Sequence, residues 1–184
     1  MPFPKVKDYH KRGQPLVPNA YGVFYAMASV CYWFLLGFLE IRRNETLALA
    51  TSVLFGSTMG LWDDMVNLRW RYKAILPIFA SLPYVVLKPS DRTAIMFLPF
   101  GIIQFDVLFF ILFVPLFITV ATNTYNQLGG LNGLESVTGL TILIGLTIAS
   151  GSVILTVVPI LCLVVLSYLS FTGKAFVGNV GTFS

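Results

Sequence analysis

Charge is scarce in this sequence. Only 11% of its 184 residues are Asp, Glu, Lys or Arg, against 57% apolar, and the mean hydropathy is +0.82. A soluble globular domain carries about 25% charged residues, so a soluble enzyme or carrier is a poor fit. Cysteine is nearly absent. Cys31 and Cys162 both fall in apolar runs and no Cys-x-x-Cys or zinc-type spacing exists, so neither a disulfide framework nor a zinc site is indicated. His10 is the only histidine and lies in a polar stretch, where simple exposure is its plainest reading. No Ser-His-Asp or Cys-His set supports hydrolytic nucleophile chemistry. The period-two alternation of an outer-membrane barrel is missing. Residues 1–21 are polar and Pro-containing, without the apolar core of a signal peptide.

What the chain has in abundance is long apolar runs. Several approach the roughly 20 residues that a bilayer-spanning helix needs, and a spanning helix satisfies its own backbone. The expected fold is all-α, a polytopic transmembrane helical bundle of about six spans. These fall near residues 21–40, 47–62, 74–87, 106–121, 134–149 and 153–170, with a re-entrant or interfacial piece at 94–103 before the fourth. The second and third are short for a bilayer. The run from 134 to 171 breaks at Gly151-Ser152, where a tight turn is expected. No internal repeat or low-complexity stretch is visible, so residues 1–184 read as one membrane domain with no soluble domain.

The net charge of +4 is modest, and the basic residues cluster between apolar runs. That is a pattern of topology signals and phosphate contacts, with no call for nucleic acid. With a cytoplasmic N-terminus, the inner loops hold Lys5, Lys7, Lys11, Arg12, Arg69, Arg71, Lys73 and Lys174. The outer loops hold Arg42, Arg43, Lys88 and Arg92. Positive charge concentrates on the cytoplasmic side of membrane proteins, so this orientation is favoured. It also places three polar loops on one face, in the cytoplasm.

The first of these is Asp63-Asp64-Met65-Val66-Asn67-Leu68-Arg69-Trp70-Arg71-Tyr72-Lys73. Adjacent carboxylates at a span end repel each other and are costly near hydrocarbon, and a divalent cation relieves both problems. The Arg and Lys that follow offer positive charge to phosphate. The second runs from Thr122 to Glu135 and holds Asn123, Asn126, Gln127, Gly129, Gly130, Asn132 and Gly133. Amide oxygens are neutral ligands for Mg²⁺, amides also pair with bases and sugars, and glycines admit a ligand close to the backbone. A plain turn needs fewer such residues. The third, Gly173-Lys174-Ala175-Phe176-Val177-Gly178-Asn179-Val180-Gly181-Thr182, reads equally well as an anion-binding loop or a flexible tail. Asp106 reads as a helix N-terminal residue.

Taken together, these loops resemble the polyprenyl-phosphate N-acetylhexosamine-1-phosphate transferase family, glycosyltransferase family 4. The nearer branch is that of the eukaryotic and archaeal UDP-GlcNAc:dolichyl-phosphate GlcNAc-1-phosphate transferases. The Asp63-to-Lys73 stretch, with Leu76-Pro77 and Ala80-Ser81-Leu82-Pro83, is similar to that branch almost residue for residue. Thr122-Asn123-x-x-Asn126 with Gly130-x-Asn132-Gly133-Leu134-Glu135 resembles its second signature. Asp8-x-x-Lys11 with Pro18 and Gly22 resembles its first cytoplasmic loop, and Phe176-Val177-Gly178-Asn179 its Phe-x-Gly-Asp signature.

The resemblance implies a reaction. A polyprenyl phosphate, dolichyl in type, attacks the β-phosphate of a UDP-HexNAc, with UDP-GlcNAc the default donor. UMP leaves, in the first membrane step of glycan assembly. Mg²⁺ is the implied cofactor, with Mn²⁺ an acceptable substitute. By that resemblance Asp63, Asp64 and Lys73 are catalytic. Asn126 and Asn179 are metal ligands. Lys11, Asn67, Asn132 and Glu135 bind substrate, with Asn132 at the uracil. A homodimer or a complementary subunit is a compatible partner.

Three departures stand out. The family's metal-binding Asp is Asn179 here, which removes a formal charge and should weaken the metal. Family members have a further span before the Asp-x-x-Lys loop. They also continue past the Gly-Asp signature with more spans and a basic loop that grips the nucleotide-sugar. The chain is therefore expected to be the central part of the fold. The alternative is a non-catalytic or split-subunit membrane protein of the same fold that binds polyprenyl phosphate. A transporter or ion pathway would need polar residues within the spans, whereas here they sit at span ends.

Overall fold

The computed structural model describes residues 3–9, 11–87, 93–97, 99, 101–129 and 132–184. His10, Lys88, Arg92 and Gly130, named above, lie outside them. The chain is mostly helical, in keeping with the expected class. Two short antiparallel hairpins correct the all-α reading. Strands β1 (Lys5–Lys7) and β2 (Leu16–Pro18) pair with Val6 opposite Val17, within the stretch read as merely polar. Strands β3 (Ala94–Phe97) and β4 (Gly101–Gln104) pair with Ile95 opposite Ile103. The latter is the form taken by the stretch expected as a re-entrant or interfacial piece at 94–103. Gly101 opens β4 at φ 89, a conformation glycine adopts without strain, and the Ile residues after it favour extended backbone.

Helix α1 (Gly22–Phe38) matches the first expected span. Helix α2 (Arg43–Val66) does not match the short second one. It runs 24 residues, about 36 Å at 1.5 Å per residue, and overshoots its apolar stretch at both ends. The overshoot carries Asp63 and Asp64 out of the apolar run on a rigid helix. The third expected span is broken into α3 (Trp70–Ile75) and α4 (Pro77–Leu87), because Pro77 has no N–H to continue the ladder. The fourth begins as a π-helical turn (Phe109–Phe113) and continues as α5 (Val114–Gln127). It thus reaches six residues beyond its expected end, and Asn123 and Asn126 ride on helix instead of loop.

Helices α6 (Leu134–Ser150) and α7 (Val153–Phe171) part where expected, with Gly151 at φ 64. Residues 178–182, read as loop or tail, form the short helix α8 (Gly178–Thr182). Two helical stretches, residues 109–127 and α7, are long and apolar enough to cross a membrane by length and composition. Helices α1 and α6 are apolar but shorter. Large side chains such as Phe38, Phe117, Ile148 and Phe171 are exposed, and a protein facing water rarely shows so much apolar surface.

Helix α2 is the hub, packing on α1, α4 and α8, while α1 also meets α7, α7 meets α6, and α4 meets α5. The α1–α2 seam buries Ala26, Val30, Trp33 and Leu36 against Ala50 and Val53. One contact across α1 and α7 has a clear cause. Pro159 cannot donate to the carbonyl of Leu155, four residues earlier, and the indole N–H of Trp33 takes that place at 2.7 Å.

Candidate active site

Helix α8 is held at the heart of one end of the bundle, and the sequence lets it come close. Gly56 and Gly60, one turn apart on α2, face it. A Cβ on Gly60 would stand 2.3 Å from the carbonyl oxygen of Asn179, and one on Gly56 would stand 2.0 Å from that of Phe183. Only bare backbone allows this approach. The segment before α8 is laced to the N-terminal region. Phe176 N donates to Pro18 O, Tyr21 N to Phe176 O and Gly22 N to Val177 O, at 2.8 to 3.0 Å.

The two carboxylates of α2 then meet α8 differently. Asp64 accepts the backbone N–H groups of Asn179 at 2.9 Å and Val180 at 3.0 Å, and the amide of Asn19 at 3.3 Å. Asp63 is buried. Its Oδ2 accepts Nζ of Lys73 at 2.8 Å and Nδ2 of Asn179 at 2.7 Å, and its Oδ1 accepts the Leu68 N–H at 2.8 Å. Burial pushes the Asp64 carboxyl above the usual carboxylate range. The α8 N–H groups and Lys73 oppose that rise, and the neighbouring Asp63 charge adds to it.

From α5, Asn126 donates Nδ2 to Asn179 Oδ1 and to Thr182 Oγ1, both at 2.8 Å. Asn123 faces away, donating to the carbonyls of Thr119 and Ala74. Below them Asn132 donates to both oxygens of the buried Asp8, at 3.1 and 3.0 Å. Lys11 stands 4.0 Å from Asp8 and donates to Thr172 O at 2.8 Å, tying the β1–β2 hairpin to the end of α7. The backbone oxygen of Glu135 accepts the hydroxyl of Tyr125.

A cavity of about 300 Å³ opens here, lined by Asp8, Asn19, Asp64, Asn126, Asn132 and Glu135 among others. A second, of about 530 Å³, lies between α3 and α5 and is lined by Trp70, Lys73, Asn123 and Asn126. Asn126 borders both. The fold thus gathers Asp63, Asp64, Lys73, Asn126 and Asn179, and sets Asn132 and Glu135 on one shared cavity. Asn67 stays apart. It is exposed and turns the chain out of α2 in a left-handed conformation, φ 52. Lys11 lines neither cavity.

Sequence reading missed Asn19, Thr182 and the glycine pair. The Gly-x-x-x-Gly spacing on α2 was a legible sign of close helix approach. Thr182 closes the third polar loop and Asn19 follows Pro18 of the first-loop resemblance, but neither carried a sign of its own role.

The implied Mg²⁺ can be weighed against the donors present. Among the described residues no three Asp, Glu, His or Cys side chains group to hold a metal ion. The oxygens at hand are the carboxylates of Asp63 and Asp64 and the amides of Asn126 and Asn179. Such hard oxygen donors fit Mg²⁺ in kind. They carry one formal charge fewer than a set with Asp in place of Asn179.

Residues 46–184 match the model of a family described as glycosyl transferase family 4. The chain is 34% identical over 151 residues to a Dictyostelium discoideum protein named UDP-N-acetylglucosamine–dolichyl-phosphate N-acetylglucosaminephosphotransferase. That match covers 70% of this chain and 36% of the relative. It is also 34% identical over 130 residues to a Saccharolobus solfataricus protein that bears the same name as a provisional assignment, covering 70% and 40%. A third protein of that name, from Schizosaccharomyces pombe, is 28% identical over 99 residues, covering 49% and 22%. The chain thus spans about two-fifths or less of the length of these relatives. With its four polar segments meeting at one end of the bundle, and a family match over most of its length, the chain belongs to glycosyl transferase family 4.

Proposed function

We propose that this chain carries the reaction centre of a membrane UDP-HexNAc:polyprenyl-phosphate HexNAc-1-phosphate transferase. GlcNAc-1-phosphate would be the group moved and a dolichyl-type phosphate the acceptor. An oxygen of the lipid phosphate forms a bond to the β-phosphorus of the UDP-sugar. The bond from that phosphorus to the bridging oxygen breaks, and UMP leaves with the electron pair. The names of the relatives support the reaction class. The observation that carries the reading is the position of Asn126, on the wall between the cavity of Asp64 and Asn132 and the cleft of Lys73.

In this reading the nucleotide-sugar occupies the smaller cavity, with Asn132 and Glu135 beside the nucleoside and the diphosphate at Asn126. Asp64 faces that cavity and takes the proton of the acceptor phosphate. Asp63 lines neither cavity and acts by holding Lys73, whose charge faces phosphate in the neighbouring cleft. Asn126 and Asn179, with the carboxylates beside them, would hold Mg²⁺, which when bound neutralises diphosphate charge. Lys11 keeps the hairpin over the cavity by its bond to Thr172. The six-span topology, with this end in the cytoplasm, belongs to the same reading.

The test is Mg²⁺-dependent UMP release by the purified chain, supplied with UDP-GlcNAc and a polyprenyl phosphate, with Asp64→Asn as control. Release that vanishes in the control supports the reading. Absence of release from a folded chain favours the second reading, a non-catalytic or split-subunit member of the family. The amide at position 179 is the observation on that side.

A further inference from the structure

The carboxamide of Asn179 does something that a carboxylate at that position would not. Its Nδ2 donates to Asp63 at 2.7 Å, and its Oδ1 accepts from Asn126 at 2.8 Å. One uncharged group therefore satisfies an acid on α2 and an amide on α5 at once. Asp63 also holds Lys73, and Asp64 holds the first N–H groups of α8. Both carboxylates are thus fully partnered by the protein itself. A carboxylate at position 179 has no proton to donate to Asp63. It would face the buried Asp63 and the half-buried Asp64 with a single lysine among them, a crowding of like charge that a bound cation relieves without protonating an acid.

We infer that Asn179 makes this centre stable without a divalent cation. Its amide bridge and a bound Mg²⁺ are alternatives. For the Asn179 oxygen to turn toward a cation near the carboxylates, the bonds to Asn126 and Asp63 must both open. A cation here displaces a closed hydrogen-bond network, and so binds more weakly than hard oxygen donors free of such bonds would hold it. The fold of the chain would then be indifferent to Mg²⁺ even where its chemistry is not.

This rests on the reading of the cluster as the phosphate end of the site. Its test is separate from that reading, because it measures unfolding and not turnover. The full chain in detergent is heated in EDTA and in excess MgCl₂, with tryptophan fluorescence as the probe, alongside Asn179→Asp and Asn179→Ala. The wild-type midpoint is expected to be the same in both buffers. Asn179→Asp should melt roughly 5 °C lower in EDTA and recover in MgCl₂. Asn179→Ala should melt lower in both, since it loses the bridge and gains no charge. A wild-type midpoint that falls in EDTA overturns the inference, as does an Asn179→Ala variant as stable as wild type. If Asn179→Asp fails to fold in either buffer, the wild-type and Asn179→Ala results decide alone.

Discussion

Asn132 aims its amide at both carboxylate oxygens of Asp8, at 3.0 and 3.1 Å, across 124 positions of sequence. The pair seals the β1–β2 hairpin against the turn before α6. Asp8→Ala leaves that half-buried amide without its acceptor, at a cost of about 1 kcal/mol. Chemical unfolding of the variant in detergent measures the loss. If Asn132 serves the nucleoside, the same change should also raise the Kd for UDP-GlcNAc about tenfold, equivalent to about 1.4 kcal/mol. Unchanged stability and unchanged affinity would both count against the clamp.

Lys73 and Asp63 form the most enclosed ion pair among the described residues, with side chains 26% and 1% exposed. Lys73→Met strands a buried carboxylate and should cost about 3 kcal/mol. Adding Asp63→Asn removes that charge. The double variant should therefore lose less than the two single losses summed. Additive losses, measured by the same unfolding assay, would mean that the pair does not interact.

Gly60 fixes how near α8 can come. Gly60→Ala sets a Cβ against the Asn179 carbonyl at 2.3 Å, and α8 must move with its hydrogen bonds to Asp63 and Asp64. A loss of about 2 kcal/mol is expected, together with loss of any UMP release. Gly145 lies in α6 with nothing within 4 Å of its would-be Cβ. Gly145→Ala is thus the control, and should be neutral or stabilising by up to about 1 kcal/mol.

The environment of Asp64 gives a pH dependence of definite sign. Burial raises its folded pKa above the ordinary value of 3.8, so the folded state holds the proton more tightly than the unfolded chain. The stability tied to that proton is present in full below the ordinary value. It is lost as pH rises through the folded one. Measured in EDTA, the stability of wild type relative to Asp64→Asn should therefore decline with rising pH across that window. A difference that grows with pH would reverse the assignment.

Orientation has a direct probe at Asn67, which is exposed at the end of α2 beside the acid pair. With Cys31 and Cys162 first replaced, Asn67→Cys should react with an impermeant maleimide only from the cytoplasmic side. Labelling from the opposite side would invert the whole topology.

The candidate site residues were legible because they interrupt apolar sequence. Asp63 and Asp64 end an apolar run, and Asn126, Asn132 and Glu135 break another. Such interruptions are local, and so is the Gly151-Ser152 break between α6 and α7. Boundaries were read less well where a helix outlasts its apolar run. Helix α2 continues through Asp63 and Asp64 to Val66 because those acids find partners on α8, α3 and the segment of Asn19. Helix α5 continues through Asn123 and Asn126 for a similar reason, since their amides bond to Thr119, Asn179 and Thr182. The hairpin at 94–104 was hidden because short apolar runs look alike as strand or buried helix.

Composition and local pattern by themselves determined that this chain is a helical, strongly apolar protein with three polar loops, and its motifs placed it in its family. Tertiary structure alone decided which polar groups satisfy one another. The bond from Asn179 to Asp63 joins residues 116 positions apart, and that from Asn126 to Asn179 joins residues 53 apart. Periodicity carries no trace of such pairings, because they depend on how helices cross and not on what lies next along the chain. Whether a buried acid is met by a lysine, an amide or a cation is a property of that crossing. Here the glycine face of α2 lets α8 close on the acids, and an amide meets Asp63 beside Lys73.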